Sequence, residues 1–167
     1  MPFTDLLRLT VFLAAGEATA LGAITAISAG RDNDTTTLLI AAAWWLIAVI
    51  VGLRLGRPSR AADGVRDTLA DARTATALPQ ETPGRIAFGR LWPIAATALL
   101  AGGFGIFFPG VAAIGAGYAL LVSLAWRTRE AAVLGIEHRD GTRFYVEPGS
   151  ALRPITLIRT PGLTSGR

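Results

Sequence analysis

Apolar residues fall into four long blocks, Leu6–Ala29, Thr36–Leu55, Leu91–Pro109 and Gly110–Trp126, and almost all charge lies outside them. Each block approaches the ~20 mostly apolar residues that a helix needs to cross a hydrocarbon core ~30 Å thick. The pattern predicts an all-α integral membrane protein, with transmembrane helices over about 6–29, 36–55, 91–109 and 110–126. They form two helical hairpins in a domain covering 1–126, with a loop over 56–90. Ala18-Thr19-Ala20 has the small residues of a signal-peptide cleavage site. No basic segment precedes it, however, and the apolar run continues to Ala29, so the block reads as an uncleaved span.

Outside the blocks the periodicity changes. Ser59–Ala77, bounded by Pro58 and Pro79, reads as a loop helix with Val65, Leu69 and Ala72 on one face. Asp63, Asp67 and Asp71 lie on another face, which reads as solvated rather than metal-binding. Leu78–Gly84, with its two prolines, reads as a linker. In the tail, 127–167, Asp140-Gly141 sits between Val133–Arg139 and Thr142–Glu147, a type I′ hairpin signal. The expectation is a β-hairpin over 133–147 that sets Glu137 opposite Phe144. Ile155–Thr160 would extend it to a small three-stranded meander, because two strands alone are marginal in water. Gly162–Arg167 reads as a frayed end.

Charge orients the spans. All 16 basic residues are Arg, and the formal net charge is +4. Six of them, Arg57 to Arg90, lie in the 56–90 loop and seven, Arg127 to Arg167, in the tail, whereas the first connection has Arg31 and the third has none. Positive residues favour the cytoplasmic side, so loop, tail and N-terminus are expected there, with Arg8 snorkelling to the interface. The expected location is a bacterial plasma (inner) membrane, multi-pass. Trp44, Trp45, Trp92 and Trp126 are candidate interface anchors, although Trp44 and Trp45 sit deep enough to pack between helices instead.

Small residues punctuate the blocks, including Gly16 with Ala20, and Gly110 with Ala113 and Gly117, at helical spacing. Lipid supplies no hydrophobic drive for helix association, so close backbone contact must supply much of it. Gly102-Gly103-Phe104-Gly105 fits no nucleotide-binding spacing and reads as packing. Pro109-Gly110 is expected to make the reversal between the third and fourth spans. Arg8-Leu9 and Arg90-Leu91 open the first and third spans alike, an echo that low-complexity sequence produces by chance.

Chemistry is sparse. Cys is absent and there is one His. That removes disulfides, thiolate metal sites and His-rich catalytic centres. No HExxH, paired intramembrane acids, activated nucleophile or phosphotransfer signature occurs, and no stretch resembles a known protein family. No catalytic residue, metal or cofactor is expected. His138 reads as a surface residue beside a turn. Glu17 stands alone as an acid near the middle of a span, where a charged side chain costs roughly 2.5–3.5 kcal/mol. It must be protonated, face a water-filled cavity, or meet a cation or a donor from another helix. Trp44, Trp45, Trp92, Thr97, Tyr118 and Ser123 are the candidate donors.

The expected function is that of a non-catalytic membrane component. It would self-associate or bind a partner, and its tail would dock in the cytoplasm. Arg139, Arg143, Arg153 and Arg159, with Phe144 and Tyr145, are the candidate surface for anionic lipid headgroups or a protein partner. Nucleic acid is not expected, because no RNA-reading signature accompanies them. The alternative is a small oligomeric channel or transporter with Glu17 as its intramembrane ion or proton site.

Overall fold

The computed structural model describes residues 1–74 and 81–161. Its elements are α1 (Phe3–Arg31), α2 (Thr35–Leu55), α3 (Pro58–Ala70), β1 (Arg73–Thr74), α4 (Pro83–Gly105), α5 (Pro109–Trp126), α6 (Arg129–Asp140), β2 (Thr142–Val146) and β3 (Leu157–Pro161). Four helical stretches, Phe3–Arg31, Thr35–Leu55, Pro83–Gly105 and Pro109–Asp140, are long and apolar enough to cross a membrane. The chain divides into two compact units. A helical unit comprises Thr10–Gly56 and Pro93–Arg127, and a sheet-containing unit draws on Met1–Leu9, Arg57–Trp92 and the chain from Thr128 onward.

In the helical unit, α2 and α5 form the most extensive helix pair. Gly52 of α2 lies against Leu121 and Leu124 of α5. Deep indoles need a partner for their N–H in hydrocarbon. Trp45 Nε1 donates to the Ala113 carbonyl at 2.9 Å, and Trp44 Nε1 to the Ile114 carbonyl at 3.3 Å. These two tryptophans therefore join helices. Gly117 leaves the space that the Trp44 ring occupies, and Tyr118 meets that ring edge-on, with centroids 5.4 Å apart. Leu21, Ala112 and Ala116 make the small buried core, with Ile24, Trp45 and Ala101 packed around it. Large apolar side chains such as Leu39, Ile40, Leu46 and Leu99 face outward, as they do where the solvent is lipid. Buried Thr25 donates its hydroxyl to the Leu21 carbonyl at 2.8 Å, the usual internal solution for a hydroxyl in such a helix.

Helix ends follow local chemistry. Asp34 caps α2 by accepting the Thr37 N–H at 3.0 Å, and the Thr37 hydroxyl also donates to it. Asn33 takes a left-handed φ of 50°, which asparagine tolerates, and so reverses the chain. The Thr37 hydroxyl and amide hold the Asp34 carboxyl below the usual aspartate range. A depressed folded pKa means that the cap contributes fully above the unfolded value of about 3.9 and is lost as pH falls through the folded one. Acidification below about pH 4 is therefore expected to lower the exchange protection factors at Thr36 and Thr37, measured against the intrinsic rate at each pH, whereas Asp34→Asn should flatten that pH dependence. Between α4 and α5 the reversal runs over Ile106–Phe108. Pro109 opens α5 instead of ending α4, because its missing N–H costs nothing in a first turn.

The sheet-containing unit departs most from expectation. The hairpin over 133–147 is absent, and residues 129–140 are helix α6. Glu130 lies in its first turn and His138 and Arg139 in its last, both favourable to the helix dipole. Gly141, at φ 61°, ends the helix in the left-handed conformation and donates its N–H to the Glu137 carbonyl. Asp-Gly thus acts as a helix stop. Glu137 and Phe144 still meet, because the Glu137 carboxylate accepts the Phe144 N–H at 2.9 Å. Nor is the sheet a meander. Its order is β1-β3-β2, with β3 antiparallel to β2 and parallel to β1. The Val146 N–H donates to the Met1 carbonyl at 2.9 Å, and Pro2 bridges Tyr145, so the N-terminus covers the free edge of β2.

Helix α3 buries Ala61, Val65 and Leu69 and packs against α6, which buries Val133. It stops at Ala70, earlier than Ala77, with Asp71 as C-cap, because the chain turns into β1. Asp63, Asp67 and Asp71 are exposed. Residues 75–77 of the expected loop helix, 78–80 of the expected linker and 162–167 of the expected frayed end lie outside the described residues. Pro83 and Gly84 already belong to α4.

Pro93 lies inside α4, where it cannot donate to the carbonyl four residues back, that of Gly89. That carbonyl accepts the Ala151 N–H instead, at 2.9 Å. Beside it, Arg90 is only 8% exposed, and its Nη1 donates to the carbonyls of Ser150, Arg153 and Pro154 at 3.0, 2.8 and 3.3 Å. The loop before β3 is fastened to α4 by these bonds.

Candidate functional site

Glu17 is half-buried on α1 and lines a cavity of about 490 Å³ within the helical unit. α4 contributes Ile94, Thr97 and Phe104 to its wall, and α5 contributes Ile114, Tyr118 and Val122. The wall is almost entirely hydrocarbon and aromatic. Glu17 is the only charged side chain among the described lining residues, and the hydroxyls come from Thr97 and Tyr118.

Thr97 lies close enough to Glu17 for its hydroxyl to act on the carboxyl. The Thr97 hydroxyl donates to the Ile94 carbonyl at 2.9 Å. A hydroxyl has one hydrogen to donate and lone pairs to accept with. While Ile94 takes that hydrogen, a neutral Glu17 acid can donate to Thr97; an ionised Glu17 must take the hydrogen away from Ile94. The threonine rotor thus accommodates both forms of the acid. Of the other candidate donors, Trp44 and Trp45 are committed to α5 carbonyls, and Ser123 donates to the Leu120 carbonyl at 3.0 Å. Tyr118 shares the cavity with Glu17. Trp92 lies in the sheet-containing unit and is 42% exposed.

The candidate surface residues do not converge. Phe144 is 3% exposed, a core residue of its unit, so it is withdrawn from the surface set. Residues 142, 144 and 146 of β2 alternate inward, and that periodicity buries it. Tyr145 is half-buried, and its backbone bridges Pro2. The register pairs Phe144 with Arg159 and Arg143 with Thr160, which puts Arg143 and Arg159 on opposite faces. Arg139 bonds its neighbour Asp140 at 2.9 Å, which raises the guanidinium pKa and holds the Asp140 carboxyl below the usual range, with Arg159 adding to the latter. Arg153 is exposed on the fastened loop. Arg8 is paired with Glu130 at 3.3 Å. His138 is exposed, and no group of metal-ligating side chains occurs among the described residues.

Sequence reasoning missed Arg90 as a structural residue by counting it with the loop charges. The available signal was its place one turn before Pro93, where a helix must expose a carbonyl. No protein-family model matches this chain, and no curated protein or solved structure matches it either.

Proposed function

We propose that this chain is a non-catalytic multi-pass membrane component that self-associates through its first helix. The observation that supports this reading is the outward face of α1. Gly16, Ala20 and Ala23 recur along it at intervals of four and three and are all exposed. Nothing lies within 4 Å of the point where a side chain on Gly16 would begin. Small residues at this spacing let two helix backbones approach closely in lipid, where packing rather than hydrophobicity drives association. Gly16→Leu is expected to weaken association by about tenfold, roughly 1.4 kcal/mol, and Gly16→Ala much less. Energy transfer between donor- and acceptor-labelled chains in liposomes measures this, and unchanged transfer in Gly16→Leu removes the reading.

The membrane in this reading is the bacterial plasma membrane, with both termini cytoplasmic. Arginine asymmetry supports that orientation. The make-up of the sheet-containing unit supports placing both termini on one and the same side, since its three chain segments are separated by two pairs of long apolar helices. Segments that fold together must lie on one side of a hydrocarbon barrier, as an even number of crossings between them allows. Docking then belongs to the whole unit, because removing the chain after Glu130 also strips the partners of β1 and of the N-terminus. Arg143 and Arg159 lie on opposite faces of the sheet, so only one of them at a time, with Arg153 of the loop, meets anionic headgroups in this reading.

The cavity at Glu17 favours a second reading, a small oligomeric channel or transporter that uses this acid. Glu17→Gln is then expected to abolish solute-driven flux in proteoliposomes while leaving assembly intact, and undiminished flux counts against it.

A further inference from the structure

We propose that the Glu17 cavity is a binding site for an organic cation with an apolar body. This rests on the second reading above only in taking Glu17 as the functional acid, and it does not require transport.

Ligand chemistry can be sorted by what the wall offers. At about 490 Å³ the cavity falls within the range of small-molecule sites, about 300–1,000 Å³. A carboxylate in such surroundings calls for a positive partner, and no described lining residue carries one. Anions are therefore excluded by sign. Calcium and magnesium ions are excluded by ligand number, since they take about six or more oxygens, and zinc by ligand type, since no His or Cys lies in the described wall. Glu17, Thr97 and Tyr118 supply the only side-chain oxygens in the described wall. A neutral acyl chain matches the hydrocarbon wall and suits the protonated acid, but it leaves the ionised carboxylate without a positive partner. An organic ammonium, phosphonium or iminium ion satisfies both halves. Its charge meets Glu17, its body meets Ile94 and Val122, and the rings of Phe104 and Tyr118 add the attraction of an aromatic face for a cation.

Access fits the same class. Phe104, Ile114 and Tyr118 line the cavity and are each more than half exposed on the apolar exterior of the helical unit. The opening therefore faces the hydrocarbon, where an apolar cation partitions and a hydrated metal ion does not.

Tetraphenylphosphonium and tetraphenylborate test this directly, because they share a shape and differ in charge sign. The full chain in nanodiscs of zwitterionic lipid is titrated with each by equilibrium dialysis. Saturable binding of the phosphonium, with none of the borate, is expected. Glu17→Gln should weaken phosphonium binding by about thirtyfold or more, as for removal of one partner from a desolvated charge pair. Glu17→Asp should retain part of it, and tryptophan fluorescence checks that each variant keeps its fold. Equal binding of the borate, or unchanged phosphonium binding in a folded Glu17→Gln variant, overturns the proposal and leaves an apolar groove filled by lipid. Glu17-dependent binding without flux in proteoliposomes upholds the site and sinks the transport reading. Glu17-dependent proton or metal-ion flux without phosphonium binding does the reverse.

Discussion

Gly52→Leu is expected to pull the α2–α5 pair apart and to lower stability by roughly 3–5 kcal/mol. A Cβ at residue 52 would stand 2.9 Å from the Cβ of Leu124, 3.1 Å from the Leu121 carbonyl oxygen and 3.3 Å from the Leu121 Cα. None of these atoms ends a flexible side chain, so none can swing aside, and the helices must separate. Overpacking a tight site costs about 1–3 kcal/mol by itself. Separation also strains the Trp44 and Trp45 bonds to the carbonyls of Ile114 and Ala113, worth about 1 kcal/mol each. Gly52→Ala should show a smaller loss, since only the first carbon intrudes. Unfolding in mixed micelles, followed by tryptophan fluorescence, gives both numbers. Stability like that of the parent in Gly52→Leu would mean that α2 and α5 do not meet at this residue.

Arg90→Met is expected to release the loop before β3, at a cost of about 3 kcal/mol to the sheet-containing unit. The guanidinium serves three carbonyls from a position only 8% exposed. Hydrogen bonds to a charged group contribute about 1.5–3 kcal/mol each and do not add fully when they share one donor nitrogen. Methionine fills the space and leaves the carbonyls of Ser150, Arg153 and Pro154 without this donor. Arg90→Lys keeps the charge but lacks the planar fork, so it should recover only part of the loss. Hydrogen exchange reads the effect locally. The Ala151 amide, bonded to the Gly89 carbonyl, should exchange much faster in Arg90→Met. Unaltered protection at Ala151 would show that the Gly89 contact alone holds the loop.

Much of the helical architecture was legible because long apolar blocks have few alternatives. α2 begins and ends within one residue of the expected 36–55, with Asp34 capping its start. α4 begins at Pro83 rather than near Leu91, since its first two turns carry Arg85 and Arg90 and resemble loop in a hydropathy profile. Misreading 133–147 had a local cause. Val133–Arg139 is short enough to suit strand or helix, and Asp-Gly ends either one. Long-range contacts decided it, as α3 packs against α6 and β3 takes the place beside β2. Glu17 stood out as the lone acid in its span. Thr97 stood among six candidate donors, and choosing it needs a match of depth between α1 and α4, which requires knowing where α4 begins. Phe144 was misplaced although its strand was expected, because which face of β2 is covered depends on the helix α6 that packs against it.

The Val146 amide hydrogen reaches back to the first carbonyl of the chain, and this has a consequence for biosynthesis. The opening residues emerge from the ribosome long before β2 and β3 are translated. Phe3, Leu6 and Leu7, all buried in the finished unit, lack their final neighbours until then. Closure of this unit therefore reports that translation has passed Leu157. A nascent chain that stalls earlier lacks part of the unit that buries these side chains, and exposed apolar surface of this kind favours aggregation.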